Sequence, residues 1–149
     1  MLKIRRATPG DAEVLCELYF GHLTQNPPEE AQDMELWRKK LARFADDPFY
    51  HLLVGEVESR AVSSVTLVII ENLTHNVRPY ALIENVVTHA DFRSRHYASS
   101  LMDKAGEIAA EHGCYKIMLL TGSKKESTLN FYERCGFNRS DKTGFIKRI

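Results

Sequence analysis

Glu84-Asn85-Val86-Val87-Thr88, the connection His89 to Phe92, and then Arg93-Ser94-Arg95-His96-Tyr97-Ala98-Ser99 carry the strongest structural signal in this chain. Tyr80 to Thr88 is an almost continuous apolar run, the pattern of a strand buried on both faces. From Tyr97 to His112 the period becomes helical: Ala98, Leu101, Met102, Ala105, Ile108, Ala109 and His112 line one side. Gly113 suits the residue just past the helix end. A strand that feeds directly into a helix N-terminus makes an anion site, because the first backbone N–H groups lack partners and the helix dipole favours negative charge. Arg93 and Arg95 add forked donors suited to phosphate oxygens, and Ser94 and Ser99 can add hydroxyls. A solvated loop before a capped helix would read the same way locally.

The flanking segments extend the pattern. Cys114 to Thr121 reads as a further apolar strand, Lys125 to Cys135 as a short helix ended by Gly136, and Phe137 to Ile149 as one or two strands. Upstream, Leu2 to Ala7 suits a first strand. Thr8 is an N-cap with Pro9 at the first helical position and Asp11 three residues on. Leu15, Leu18, Tyr19 and Leu23 form an apolar stripe, and Asn26-Pro27-Pro28 stops that helix. A second helix is expected from about Glu29 to Phe44. Phe49 to Val57 and Ala61 to Ile70 read as strands joined by a turn at Glu58-Ser59-Arg60, and Asn72 to Pro79 as a polar loop. Strands and helices in this order predict a mixed α/β sheet with helices on its faces, one domain over residues 1–149.

The 149 residues, 44% apolar and 27% charged, suit a globular domain with one core. Twenty basic residues balance twenty acidic ones, which argues against a nucleic-acid partner. Cys16, Cys114 and Cys135 suggest neither a disulfide framework nor a zinc site, and reduced thiols in the cytoplasm are the expectation. No signal region is expected after the basic start, and no apolar run approaches the ~20 residues of a membrane helix. His22, His51, His75, His89 and His112 show no paired ligand spacing, so no metal is expected.

The segment from Leu82 to Phe137 resembles the core of the GNAT superfamily of acetyl-CoA-dependent N-acetyltransferases. That family's pyrophosphate loop reads Arg/Gln-x-x-Gly-x-Gly/Ala. Arg93 and Ala98 match it, and His96 stands where glycine is usual. Asn130-Phe131-Tyr132-Glu133-Arg134-Cys135-Gly136-Phe137 is similar to the family's Phe/Leu-Tyr-Glu-Lys-x-Gly-Phe block. Thr8-Pro9-Gly10-Asp11-Ala12 is similar to a common opening, while Pro27 to Asn76 matches weakly. Ile83 to Val87 and Cys114 to Ile117 are similar to segments of glucosamine-6-phosphate N-acetyltransferases. The resemblance implies a GNAT-like acyl-CoA N-acyltransferase fold, a mixed twisted sheet of six to seven strands with about four helices.

It also implies roles. Acetyl-CoA would be the cosubstrate, its pyrophosphate held by Arg93, Ser94, Arg95, His96, Tyr97, Ala98 and Ser99. Its pantetheine arm would pair with the backbone of Val86, Val87 and Thr88, and one of those N–H groups would polarise the thioester. Thr128 or Asn130 would supply a further contact. Glycine at position 96 would allow close approach and φ > 0. Histidine reaches that region more readily than most residues, so the loop can survive the exchange.

Acetyl transfer needs a neutral amine, and an alkyl ammonium titrates near 10, so a group must take its proton. Glu84, interrupting an apolar run where an unpaired carboxylate is costly, is the candidate base. Tyr132 is the candidate acid for the departing thiolate. Reference values make that transfer uphill by roughly 2 kcal/mol, so Tyr132 needs a lowered pKa or serves only as a hydrogen-bond donor. Its spacing with Thr128, Phe131 and Cys135 equally suits a core tyrosine. The expected acceptor is a small-molecule amine. It would lie against the first two helices, the Asn72 to Pro79 loop and the C-terminal strands, with Arg78 and His75 more readily solvated than bound to substrate. A non-catalytic acyl-CoA sensor, a peptide acetyltransferase and a homodimer are the other expectations.

Overall fold

The computed structural model describes residues 1–149. Five strands form one sheet in the order β1-β2-β3-β4-β5. They are β1 (Lys3–Arg6), β2 (Tyr50–Val57), β3 (Arg60–Ile70), β4 (Tyr80–Thr88) and β5 (Ile117–Leu119). The first three pairings are antiparallel, and β4 with β5 is parallel. The β2–β3 turn has both central residues, Glu58 and Ser59, at positive φ, the geometry that matches strand twist in a two-residue hairpin.

The helices are α1 (Ala12–Leu18), α2 (Met34–Asp46), α3 (Thr74–Val77), α4 (Tyr97–Glu111) and α5 (Glu126–Arg134). The short α3 is a turn, with His75 and Asn76 in left-handed conformation. On one sheet face, Leu101, Met102, Ala105, Ile108 and Ala109 of α4 pack on Leu53, Val65, Leu67, Ile69, Ala81 and Ile83. On the other, α1 and α2 bring Leu15, Leu18 and Leu41 onto Leu52, Val54, Ala61 and Val87. Gly113 at φ 75 ends α4 with paired bonds, Gly113 N–H to Ala110 and Cys114 N–H to Ala109.

Four sequence expectations change. The sheet has five strands rather than six or seven, because the tail after Phe137 is exposed and adds no strand to it. β5 shortens to Ile117–Leu119, since Cys114 is still closing α4 and Tyr115 N–H bonds Pro79. α2 starts at Met34, not Glu29, because Asp33 caps it by accepting from Glu35 and Leu36 N–H. The first helical stretch is three pieces: a tight turn at Pro9–Asp11, α1, and a wide π turn at Tyr19–Leu23.

Gly55 marks where α4 meets the sheet. A Cβ there would lie 2.9 Å from the Cδ1 atoms of both Leu101 and Leu2. Gly55→Ala is expected to cost about 1–2 kcal/mol by overpacking, read as a lower denaturant midpoint with unchanged slope.

Candidate active site

The site starts from an irregularity in β4. Ser64 pairs with Val87 but Thr66 pairs with Glu84, so Val65 alone opposes Asn85 and Val86. Asn85 takes φ 53 to make this bulge, which asparagine tolerates better than most residues. The extra residue reverses the facing of everything after it. Ala81, Ile83 and Val86 pack toward α4, whereas Val87 packs toward α1 and α2.

Glu84 lies on the α1–α2 face, cross-strand from Thr66. Tyr50 on that face is pushed up first by burial, then by the charges of Tyr19 and Glu84. Glu84 itself is exposed, contrary to the dry slot its apolar neighbours suggested. The carboxylate therefore meets solvent directly before the bulge.

β4 and β5 pair only through Ile83 and Leu119, while β4 runs on to Thr88. The second half of β4 therefore offers an unpaired backbone edge. At its end, Ala90–Phe92 turns the chain into α4. His96 sits at φ 63, ψ 15 as the residue before the helix, so the glycine-like conformation is adopted without glycine. The first intrahelical bond here runs from Ser100 N–H to His96 oxygen; the N–H groups of Tyr97, Ala98 and Ser99 lie in the helix turn that has no internal acceptors.

The side chains of the loop are partly engaged already. Arg93 donates from Nε to Thr88 oxygen (3.2 Å) and from Nη2 to His22 oxygen (3.3 Å). Arg95 donates to Asp91 oxygen and lies 5.3 Å over the Phe92 ring. Ser99 Oγ donates back to His96 oxygen at 2.9 Å, and Ser94, at φ 60, is exposed. Arg93 thus braces the loop while both arginines keep the region positive. His96→Val is expected to cost about 1–2 kcal/mol, because a β-branched residue resists this conformation. His96→Gly should change the melting midpoint by much less.

Tyr132 packs with Phe131, Cys135 and Phe137 against the α4-side core. Burial, then the nearby Cys135, pushes its phenol up. That is the opposite of the lowered value a proton donor to a thiolate needs. Thr128, one turn earlier on the same face, accepts from Ser123 Oγ at 3.2 Å. Asn130 belongs to another face, where Arg139 binds it together with Glu126 and Glu133. Arg78 donates to the Gly113 and Cys114 carbonyls and His75 stacks on Tyr115. Both sit at the opening end of β4, away from Glu84.

Between α1, the π turn and α2 lies a groove of about 270 Å³ lined by Tyr19, Leu36, Trp37, Leu41 and Phe44, with Lys40 its one charged residue. Phe44 stacks on Tyr50 at 3.8 Å, linking the groove to the Glu84 face. Tyr19 Oη and Thr66 Oγ1 are buried without a hydrogen bond of good geometry, and burial pushes the Tyr19 phenol up, an effect that the nearby Ser64 and Thr66 hydroxyls reduce. The sequence assigned Tyr19 to a core stripe and gave Thr66 no role. No local pattern marks either, since their meeting depends on the π turn and the strand register.

The comparisons with known proteins agree with this geometry. The Acetyltransferase (GNAT) family model matches residues 13–137. The chain is 31% identical over 145 residues to glucosamine 6-phosphate N-acetyltransferase of Trypanosoma brucei brucei, covering 95% of this chain and 92% of that one. Among solved structures, a protein of Agrobacterium tumefaciens str. C58 provisionally described as an acetyltransferase is 39% identical, with TM-score 0.88 and 99% of each chain covered. Glucosamine-6-phosphate N-acetyltransferase of Arabidopsis thaliana shares the fold at 21% identity and TM-score 0.82, covering 100% of this chain and 98% of that one. The chain therefore belongs to the GNAT family of N-acetyltransferases.

Proposed function

We propose that the protein transfers the acetyl group of acetyl-CoA directly to the primary amine of a small molecule, with Glu84 as general base. The observation that carries this reading is the β4 bulge, which sets an exposed carboxylate beside an unpaired strand edge that leads into the α4 N-terminus. Val86, Val87 and Thr88 would pair with the pantetheine arm along that edge. The first-turn N–H groups at Tyr97 to Ser99, with Arg95 and the exposed Ser94, would take the pyrophosphate. Arg93 and His96 hold the loop in shape, and Thr128 lies on the Tyr132 face.

Glu84 first takes a proton from the bound ammonium, directly or through one water; the freed amine nitrogen attacks the thioester carbonyl, and the second proton shed by the nitrogen as the amide forms passes to water. The C–S bond then breaks and the sulfur leaves as thiolate. Tyr132 donates a hydrogen bond to that sulfur and keeps its own proton. Tyr132→Phe is therefore expected to lower turnover by about 10- to 100-fold, the worth of one hydrogen bond to a charged group, without moving the pH profile. A larger loss with an altered alkaline limb would restore a proton-donor role.

The aromatic groove beside Glu84 is the acceptor side in this reading. Glucosamine 6-phosphate is the first acceptor to test, because the trypanosomal relative is named for it. The experiment measures free thiol release from acetyl-CoA with aminosugars, amino acids, polyamines, arylalkylamines and peptides. Release by a small amine above the hydrolysis rate supports the proposal. Release by peptides alone, or by no amine, overturns it.

A further inference from the structure

We infer that Glu17, His22 and His89 form a binding site for a divalent transition-metal cation, with zinc the reference ion. One ligand atom from each residue lies within 4.8 Å of the other two. The His22 and His89 rings are 4.1 Å apart between centroids, and His89 Nε2 is 3.7 Å from Glu17 Oε1. Two imidazoles and a carboxylate match the three-ligand sets that hold zinc with a fourth position open. Nickel, copper and cobalt accept the same donors.

Two separate backbone insertions build this cluster. Glu17 and His22 are five residues apart, which on a regular α-helix places them about 140° apart. The π turn over Tyr19–Leu23 adds a residue to the turn, so the pair behaves like i and i+4 and shares a face. His89 follows the Asn85 bulge. Without that extra residue its side chain would project toward α4. Removal of either irregularity would separate the ligands.

The surroundings suit a metal site. Arg60 Nη2 donates to Glu17 Oε1 at 2.8 Å and steadies the carboxylate, as outer partners of metal ligands do. His89 is mostly buried while Glu17 is half exposed, so the cluster is ordered on one side and open on the other. Ala90 N–H reaches His22 Nδ1 at 3.3 Å, and Asp91 N–H reaches His89 Nδ1 at 3.2 Å. Ligation through Nε2 shifts each ring proton to Nδ1 and gives up these two contacts, which lie at the weak end of the hydrogen-bond range. A bound cation would join α1, the π turn and the turn that precedes Arg93, which already reaches across to His22 oxygen.

The test is a titration of the purified full chain with zinc chloride, and separately with cobalt chloride. Expected results are one equivalent bound, a higher melting midpoint, and visible cobalt bands without thiolate-to-cobalt charge transfer. Glu17→Gln, His22→Ala and His89→Ala should each weaken zinc by at least about tenfold, since loss of a ligand costs no less than loss of an outer partner. His75→Ala and Cys16→Ala should leave affinity unchanged. Glu17→Gln alters a half-exposed side chain, so it keeps the test valid if a histidine variant fails to fold. Absence of stoichiometric binding, affinity insensitive to Glu17→Gln, or a thiolate signature overturns the proposal.

Discussion

Glu84→Gln is expected to reduce acetyl transfer by about 10²–10⁴-fold near neutral pH, the usual worth of a positioned proton acceptor. Glutamine keeps the shape and the strand pairing with Thr66 but cannot take a proton. Acetyl-CoA should still raise the melting temperature of the variant, because the β4 edge and the α4 N-terminus are unchanged. A rise in pH supplies more neutral amine, so the deficit should narrow toward the amine's own pKa. The measurement is initial thiol release against pH for both proteins. Equal rates at neutral pH would remove Glu84 from the mechanism, and loss of cofactor binding would make its role structural.

Asp11→Ala is expected to cost about 3 kcal/mol of stability. Asp11 is buried and receives two bonds from Arg5, at 2.8 and 2.9 Å, and one from Thr8 N–H at 2.7 Å. Removal of one partner of such a pair leaves a guanidinium without its counter-charge. That costs about 3–5 kcal/mol in a dry interior, and the low end applies here because Arg5 is a quarter exposed and retains Glu56. For a chain of this size the melting midpoint should fall by roughly 6–12 °C.

The same pair predicts an acid sensitivity. Burial raises the Asp11 carboxyl, but the Arg5 and Thr8 hydrogen bonds and the Arg5 charge outweigh it and hold the group below its ordinary value. A carboxyl depressed in the folded state stabilises fully above its unfolded pKa, about 4, and that contribution is lost as pH falls through the lower folded value. Wild type should therefore lose more stability than Asp11→Ala below about pH 4, and parallel stability curves would refute the assignment.

Much of the frame was legible because it rests on local chemistry. Apolar periodicity located α4 and β4, the short connection between two apolar runs located the β2–β3 hairpin, and Gly113 marked the end of α4. His96 is instructive: the family pattern pointed to a left-handed residue there, and the backbone adopts that conformation with histidine in place of glycine. Asn130 shows the limit of a linear pattern. It lies two residues from Tyr132, which on a helix places it on a different face, and Arg139 takes it.

The sequence by itself determined the order of elements, the two packed faces of the sheet, and the family through the Arg93 to Ala98 and Asn130 to Phe137 segments. Only the tertiary structure decided which way Val87 and His89 face, and that Glu17 and His22 share a side. The reason lies in two one-residue insertions. Val86 and Val87 are both apolar, so a bulge at Asn85 leaves the hydrophobic pattern intact in either register. Leu18, Tyr19 and Phe20 are likewise all apolar, so the stripe hides a π turn. Such insertions are fixed by what the whole sheet and its covering helices can pack, and they set the facing of the side chains that follow them.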